Sequence, residues 1–113
     1  MPAAEFERLV IEQLDLLPDE VMDQLVNVAF VAEDRPDDGS LDLLGLYDGV
    51  DVTRRGDYGF GELPDRIVLY REPLLSVVSD LAELRKQIQV TLVHEIGHYF
   101  GIDDADLHDL GWG

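Results

Sequence analysis

Residues 94–104 read His-Glu-Ile-Gly-His-Tyr-Phe-Gly-Ile-Asp-Asp, and this stretch guides the interpretation of the whole chain. It contains the pattern His-Glu-x-x-His. An α-helix turns about 100° per residue, so His94 and His98 point the same way one turn apart, as two ligands of one tetrahedral zinc ion must. Glu95 lies beside them, where it can take a proton from a metal-activated water and pass it to a leaving group.

The residues after the second histidine extend the pattern. Gly101 is predicted to end the helix with a positive φ, which glycine tolerates, and so to turn the chain back toward the metal. Asp104 then takes the position of a third ligand. Asp103, His108 or a water are alternatives, because an aspartate before a short helix commonly serves as its N-cap. The chain has no cysteine, so a zinc ion (Zn2+) must be held by His, Asp or Glu. The predicted ligands are His94, His98 and Asp104.

The helix that carries this pattern is predicted to begin after a cap at Ser79 or Asp80 and to run to about Phe100. Opposite the His/Glu arc it has an apolar stripe formed by Leu81, Ile88, Leu92, Ile96 and Tyr99. Gln87 and Thr91 share the polar arc with the motif. We therefore expect the helix to bury one side and to turn its metal-binding side toward a cleft.

The rest of the 113-residue chain predicts an α+β fold in a single domain, residues 1–113. Apolar residues at helical spacing predict an amphipathic helix over residues 4–17, ended by Pro18. Strands are predicted at residues 26–33, 43–47 and 66–70. Short helices are predicted at residues 19–25, 73–78 and 104–110. The expected architecture is a small, mostly three-stranded sheet packed with helices, including the long one.

Two further features suggest substrate contacts. The strand at residues 66–70 is either an edge strand that holds an extended substrate through backbone hydrogen bonds, or an interior strand of the sheet. Tyr58 or Tyr70 could stabilise an oxyanion as a hydrogen-bond donor. Tyr99 lies on the apolar stripe and is expected in the core.

The chain is strongly acidic, with 25 Asp and Glu residues against 8 Lys and Arg and a formal net charge of −17. Such a surface repels phosphates and anionic headgroups, so nucleic acid and membranes are not expected as partners. The charge serves either solubility alone or the attraction of cationic substrates and metal ions. The N-terminus lacks the features of a secretory signal, and no apolar run reaches the ~20 residues of a membrane helix. These features predict a soluble cytoplasmic protein.

The extended motif resembles the metzincin-like branch of the zincins, some members of which use aspartate as the third ligand. It departs from that branch because no methionine-containing turn follows; the only methionines are Met1 and Met22. Nearly the whole chain is similar to the minimal zincin-like metallopeptidase family of small bacterial proteins. The segments that carry this resemblance are residues 6–10, 44–47, 63–71 and 94–112. The resemblance implies a reduced zincin core and metallopeptidase activity.

Two functions are consistent with these observations. The first is zinc-dependent hydrolysis of peptide bonds in a peptide or protein substrate, with Glu95 as general base and then general acid. The second is a non-catalytic metal-binding or protein-interaction module that retains a zincin site. Two features support the second function. The short chain has no room for a second subdomain, so the far wall of its cleft is either missing or supplied by a protein partner, and the acidic surface could also serve partner recognition.

Overall fold

The structure, a computed structural model, describes residues 1–49 and 65–102 as a mixed sheet with helices packed against it. The elements in chain order are α1 (Ala3–Asp15), α2 (Asp19–Asp23), β1 (Val28–Glu33), β2 (Gly45–Asp48), β3 (Asp65–Tyr70), α3 (Arg71–Ser76) and α4 (Leu81–Tyr99). The α+β prediction is confirmed, and every predicted element within these ranges is present. The predicted helix at residues 104–110 lies outside the described residues.

The three described strands are arranged in the order β1-β3-β2. β1 pairs with β3 in parallel, with Val31 opposite Val68, while β2 pairs with β3 antiparallel, with Gly45 opposite Leu69. The strand predicted at residues 66–70 is therefore the central one, and the edge-strand interpretation of it is wrong. Its run of consecutive apolar residues fits a strand buried on both faces.

The core lies between the sheet and the helices α1 and α4. Helix α1 buries the apolar face that its sequence predicts, which includes Phe6, Leu9 and Val10. These side chains meet Ile67 and Leu69, which project from the same face of β3 because strand residues alternate between faces. Burial of each such side chain contributes roughly 1.5–3 kcal/mol to the stability of the fold, compared with leaving it exposed. The sheet and α1 thus form a fixed support for α4.

The N-terminus of α4 is capped as the sequence predicts. The Asp80 carboxylate accepts a hydrogen bond from the Glu83 backbone N–H at 2.8 Å, and Glu83 accepts one from the Ser79 N–H at 2.7 Å. One prediction for this helix is wrong: Leu81 is 44% exposed instead of buried in the apolar stripe. It occupies the first turn, next to the cap, where it lines a surface groove with Leu75 and neighbouring residues.

The C-terminus of α4 ends at a glycine, as predicted. Gly101 has φ 81°, and its N–H donates to the His98 carbonyl at 3.0 Å. The Ile102 N–H donates to the Gly97 carbonyl, also at 3.0 Å. This pair of bonds is the Schellman arrangement, in which a left-handed residue reverses the chain after a helix. The chain therefore turns sharply at Gly101, two residues after Tyr99, the last residue of the motif-bearing helix.

Candidate metal centre

Three side chains of α4 form a group with the chemistry of a metal site. The candidate ligand atoms of His94, Glu95 and His98 all lie within 4.8 Å of one another. The two imidazole rings have centroids 4.7 Å apart and planes inclined at 74°. Both histidines are partly exposed, so an ion can reach them from one side of the helix. The spacing of four residues brings the rings together as the sequence predicts.

Glu95 differs from the histidines in being almost fully buried, with 6% of the residue exposed. Its Oε1 atom lies 3.0 Å from His98 Nδ1. A buried carboxylate is costly unless it is hydrogen-bonded, and the imidazole provides such a partner. When a histidine binds a metal through one ring nitrogen, the other generally makes a hydrogen bond of this kind. The contact therefore orients both side chains.

The burial of Glu95 follows from the packing of α4 against β2, which the helical wheel does not reveal. Thr91 and Glu95, one turn apart, face Gly45 of β2. From the sequence, both residues are expected on a polar arc that turns toward a cleft. The structure instead covers this part of the arc with the strand, because glycine leaves room for the helix to approach closely. The histidines remain at the margin of the buried surface.

The donor set fits a divalent metal ion such as zinc. Imidazole nitrogens are preferred zinc ligands, and two nitrogens on one tetrahedral zinc lie about 3.4 Å apart, given Zn–N distances near 2.0–2.1 Å. The candidate ligand atoms of His94, Glu95 and His98 lie within 4.8 Å of one another, so rotation of the side chains can bring the two imidazole nitrogens onto one ion. The predicted third ligand, Asp104, and its alternatives Asp103 and His108 lie outside the described residues. The identity of the third ligand stays a prediction.

The tyrosines named in the sequence analysis take different positions. Tyr99 is in the core as predicted, and its hydroxyl accepts a hydrogen bond from the Val26 N–H at 3.1 Å. Tyr70 alternates with Ile67 and Leu69 along β3 and so faces away from α4, which removes it as an oxyanion donor. Burial raises the pKa of Tyr70, and the nearby Glu33 carboxylate adds to the effect. Tyr58 lies outside the described residues.

A polar pair beside this helix was not predicted from the sequence. The Tyr47 ring of β2 meets the Tyr99 ring edge-on, with centroids 6.0 Å apart. The Tyr47 hydroxyl donates to Asp65 Oδ2 at 2.7 Å, and Asp65 is itself buried. The alternation of β2 places Tyr47 on the same face as Gly45, toward α4. That alternation is the signal that could have indicated the contact.

Comparison with known proteins agrees with this geometry. The family model described as zincin-like metallopeptidase matches residues 25–112, which include the strands and the motif-bearing helix. The chain belongs to the zincin-like metallopeptidase family. Its fold is similar to that of a conserved hypothetical protein from T. thermophilus, with a TM-score of 0.59, 24% identity, and 97% of each chain covered. None of the curated proteins matches this chain.

The described helices can be compared with the prediction that no segment forms a membrane-spanning helix. Across residues 1–49 and 65–102, no helix combines the length and the apolar character that crossing a bilayer requires.

Proposed function

We propose that this zincin-like protein is a zinc-dependent metallopeptidase. The observation that carries the proposal is the arrangement on one turn of α4: His94 and His98 project side by side, and the Glu95 carboxylate is held against His98 at 3.0 Å. The family match supports the same reaction class. A helix that served only packing would have no need for a buried carboxylate at this position.

Each residue has a defined role in this proposal. His94, His98 and Asp104 hold the zinc ion. When bound, zinc polarises the scissile carbonyl and lowers the pKa of water to near neutrality. Glu95 takes the proton of the attacking water as the carbon–oxygen bond forms, and then gives it to the leaving amine as the peptide carbon–nitrogen bond breaks. Burial limits the contact of Glu95 with bulk water and restricts the orientation of its carboxylate.

The substrate in this proposal is an extended peptide that lies along β2. Among the described strands, β2 is an edge strand, because it pairs with β3 on one side only. Its backbone can therefore pair with an added strand, and it adjoins the turn of α4 that carries Glu95. The formal net charge of −17 favours cationic peptides, whose association it would accelerate.

A peptide-library digest with zinc-loaded protein tests the proposal, with Glu95→Gln as the comparison. Glutamine keeps the size of the side chain and an oxygen that accepts a hydrogen bond from His98, so zinc should stay bound. It cannot take up the proton, so cleavage should fall by about 100-fold or more. Val90→Ala, at an exposed neighbouring position of the same helix, is the control and should cleave as the native chain does.

Two results would count against this function. Cleavage that persists undiminished in Glu95→Gln would exclude the mechanism. Binding of zinc and of peptides without cleavage would favour the alternative, a non-catalytic metal-binding or protein-interaction module. Cleavage that begins only when a second protein is added would support a partner that completes the cleft, with Glu95 still as the base.

A further inference from the structure

Gly45 of β2 is pressed against α4 more closely than any other residue type would permit. A Cβ atom placed at this glycine would lie 2.5 Å from Thr91 Cγ2, 3.1 Å from the Val68 carbonyl oxygen and 3.4 Å from Glu95 Cγ. Methyl groups normally approach no closer than about 3.5–4.0 Å. The strand and the helix are therefore in contact at the one position where the strand has no side chain.

Thr91 completes this contact from the side of the helix. It is buried at 6% exposure, although threonine is usually found at the surface, and it precedes Glu95 by one helical turn on the same face. Its Cγ2 methyl group occupies the space that the missing side chain of Gly45 leaves. The contact fixes how deeply α4 sits against β2 at the turn that carries Glu95.

We propose that Gly45 and Thr91 are positioning residues, which set the place of the Glu95 carboxylate relative to His98 and to the edge of β2. The proposal rests on the function proposed above, since Glu95 is the proton carrier in that reaction. Neither residue carries a group that takes part in the chemistry. They act by leaving only enough space at Gly45 for Thr91 Cγ2 and the Glu95 side chain, whose Cγ lies 3.4 Å from the position of a Cβ there, so the contact restricts where the Glu95 carboxylate can lie. A displacement of about 1 Å in such a site can cost 100-fold in rate.

Three variants isolate the contact. Gly45→Ala introduces a methyl group that collides with Thr91, and Thr91→Ser removes the threonine methyl that receives the collision. The double variant Gly45→Ala/Thr91→Ser combines the two changes, so it should relieve most of the strain. Val90→Ala, next to Thr91 but exposed, serves as the control for a change on the same helix.

The first readout is independent of activity and uses the metal-free protein. The nitrogen-15 resonances of the His98 imidazole report on its contact with Glu95. We expect Gly45→Ala to shift these resonances, the double variant to return them toward those of Thr91→Ser, and Val90→Ala to leave them unchanged. Resonances that stay in place in Gly45→Ala, or that the double variant fails to restore, would overturn the proposal.

The second readout is peptide hydrolysis by the zinc-loaded variants. Gly45→Ala should lower kcat by about 10-fold or more, with zinc affinity changed by less than about 3-fold, because the atoms nearest to the added methyl group belong to Thr91, Val68 and Glu95 and to neither histidine. The double variant should recover most of the lost kcat. A loss of zinc affinity in parallel with kcat would indicate general distortion of the site and overturn the positioning role.

The positioning role can still be tested if the native chain shows no peptidase activity or if Gly45→Ala does not fold. If the native chain binds zinc but cleaves nothing, the proposed function fails, while the His98 resonances still decide whether the contact positions Glu95. If Gly45→Ala does not fold, the comparison is between Gly45→Ala/Thr91→Ser and Gly45→Ala/Thr91→Val. Valine keeps the branched methyl group, so only the serine pair should fold with native His98 resonances; the same result for both pairs would overturn the proposal.

Discussion

Glu95 and His98 are joined by a 3.0 Å contact between Oε1 and Nδ1, three residues apart on α4. The contact links the proposed proton carrier directly to a proposed metal ligand. It restrains the orientation of the imidazole, as the hydrogen-bonding partners of metal-bound histidines do. The proposed proton carrier is thus also a partner of a proposed metal ligand, and its burial against β2 restricts where its carboxylate can lie.

The third ligand can be identified by comparing zinc affinities. We predict that Asp104→Ala weakens zinc binding by about 100-fold or more, which exceeds the loss usual when only a hydrogen-bonding partner of a ligand is removed. Asp103→Ala and His108→Ala, which alter the two alternative ligands, should change the affinity by less than about 10-fold. Competition with a chromogenic chelator measures all three. A larger effect from Asp103→Ala or His108→Ala would reassign the ligand.

The stability of the fold depends on the face of α1 that meets the sheet and α4. Phe6 is fully buried there, so Phe6→Ala should lower the free energy of unfolding by about 3–5 kcal/mol through the cavity it leaves. Ile11 lies on the same helix but is 57% exposed, and Ile11→Ala should change the free energy by about 0.5 kcal/mol or less. Urea denaturation followed by circular dichroism measures both. Equal losses would contradict the packing described for α1.

Tyr70 should make the protein less stable at alkaline pH. Burial, with a contribution from Glu33, raises its pKa in the folded state above the ordinary value of 10.0. The unfolded chain therefore loses this proton first, and the free energy of unfolding falls as pH rises from about 10 through the folded-state pKa. Below pH 9 the effect should be absent, because Tyr70 is neutral in both states.

The variant Tyr70→Phe tests this pH dependence by removing the titrating group while keeping the ring. Its free energy of unfolding, measured in urea from pH 8 to 11, should decline less steeply above pH 10 than that of the native chain. Two parallel curves would show that another group causes the decline.

Much of this fold can be predicted from the spacing of apolar residues and from the residues that end helices. The three-to-four spacing of Phe6, Leu9 and Val10 predicts the buried face of α1, and the glycine at position 101 predicts the end of α4 with the correct sign of φ. These features are local, since they depend on helix geometry and on the steric freedom of glycine. The pairing of His94 with His98 is local for the same reason.

The properties that the sequence did not reveal depend on contacts between distant segments. Strand order is one example, because the apolar run within residues 66–70 indicates burial on both faces but does not show that β1 and β2 flank this strand. The burial of Glu95 is another, since it requires Gly45, 50 residues earlier, to meet Thr91. A helical wheel treats the polar arc as a surface and cannot show that a strand covers the part of it formed by Thr91 and Glu95.

The most direct test is the zinc content of the purified chain and of His94→Ala, determined by elemental analysis after equilibration with zinc at neutral pH. Val90→Ala provides the control on the same helix. We expect about one zinc per native chain and per Val90→Ala chain, and little in His94→Ala, since one of its two adjacent imidazole ligands is removed. A native chain that takes up no zinc, or a His94→Ala variant that retains it fully, would show that the His94–His98 pair is not the metal centre.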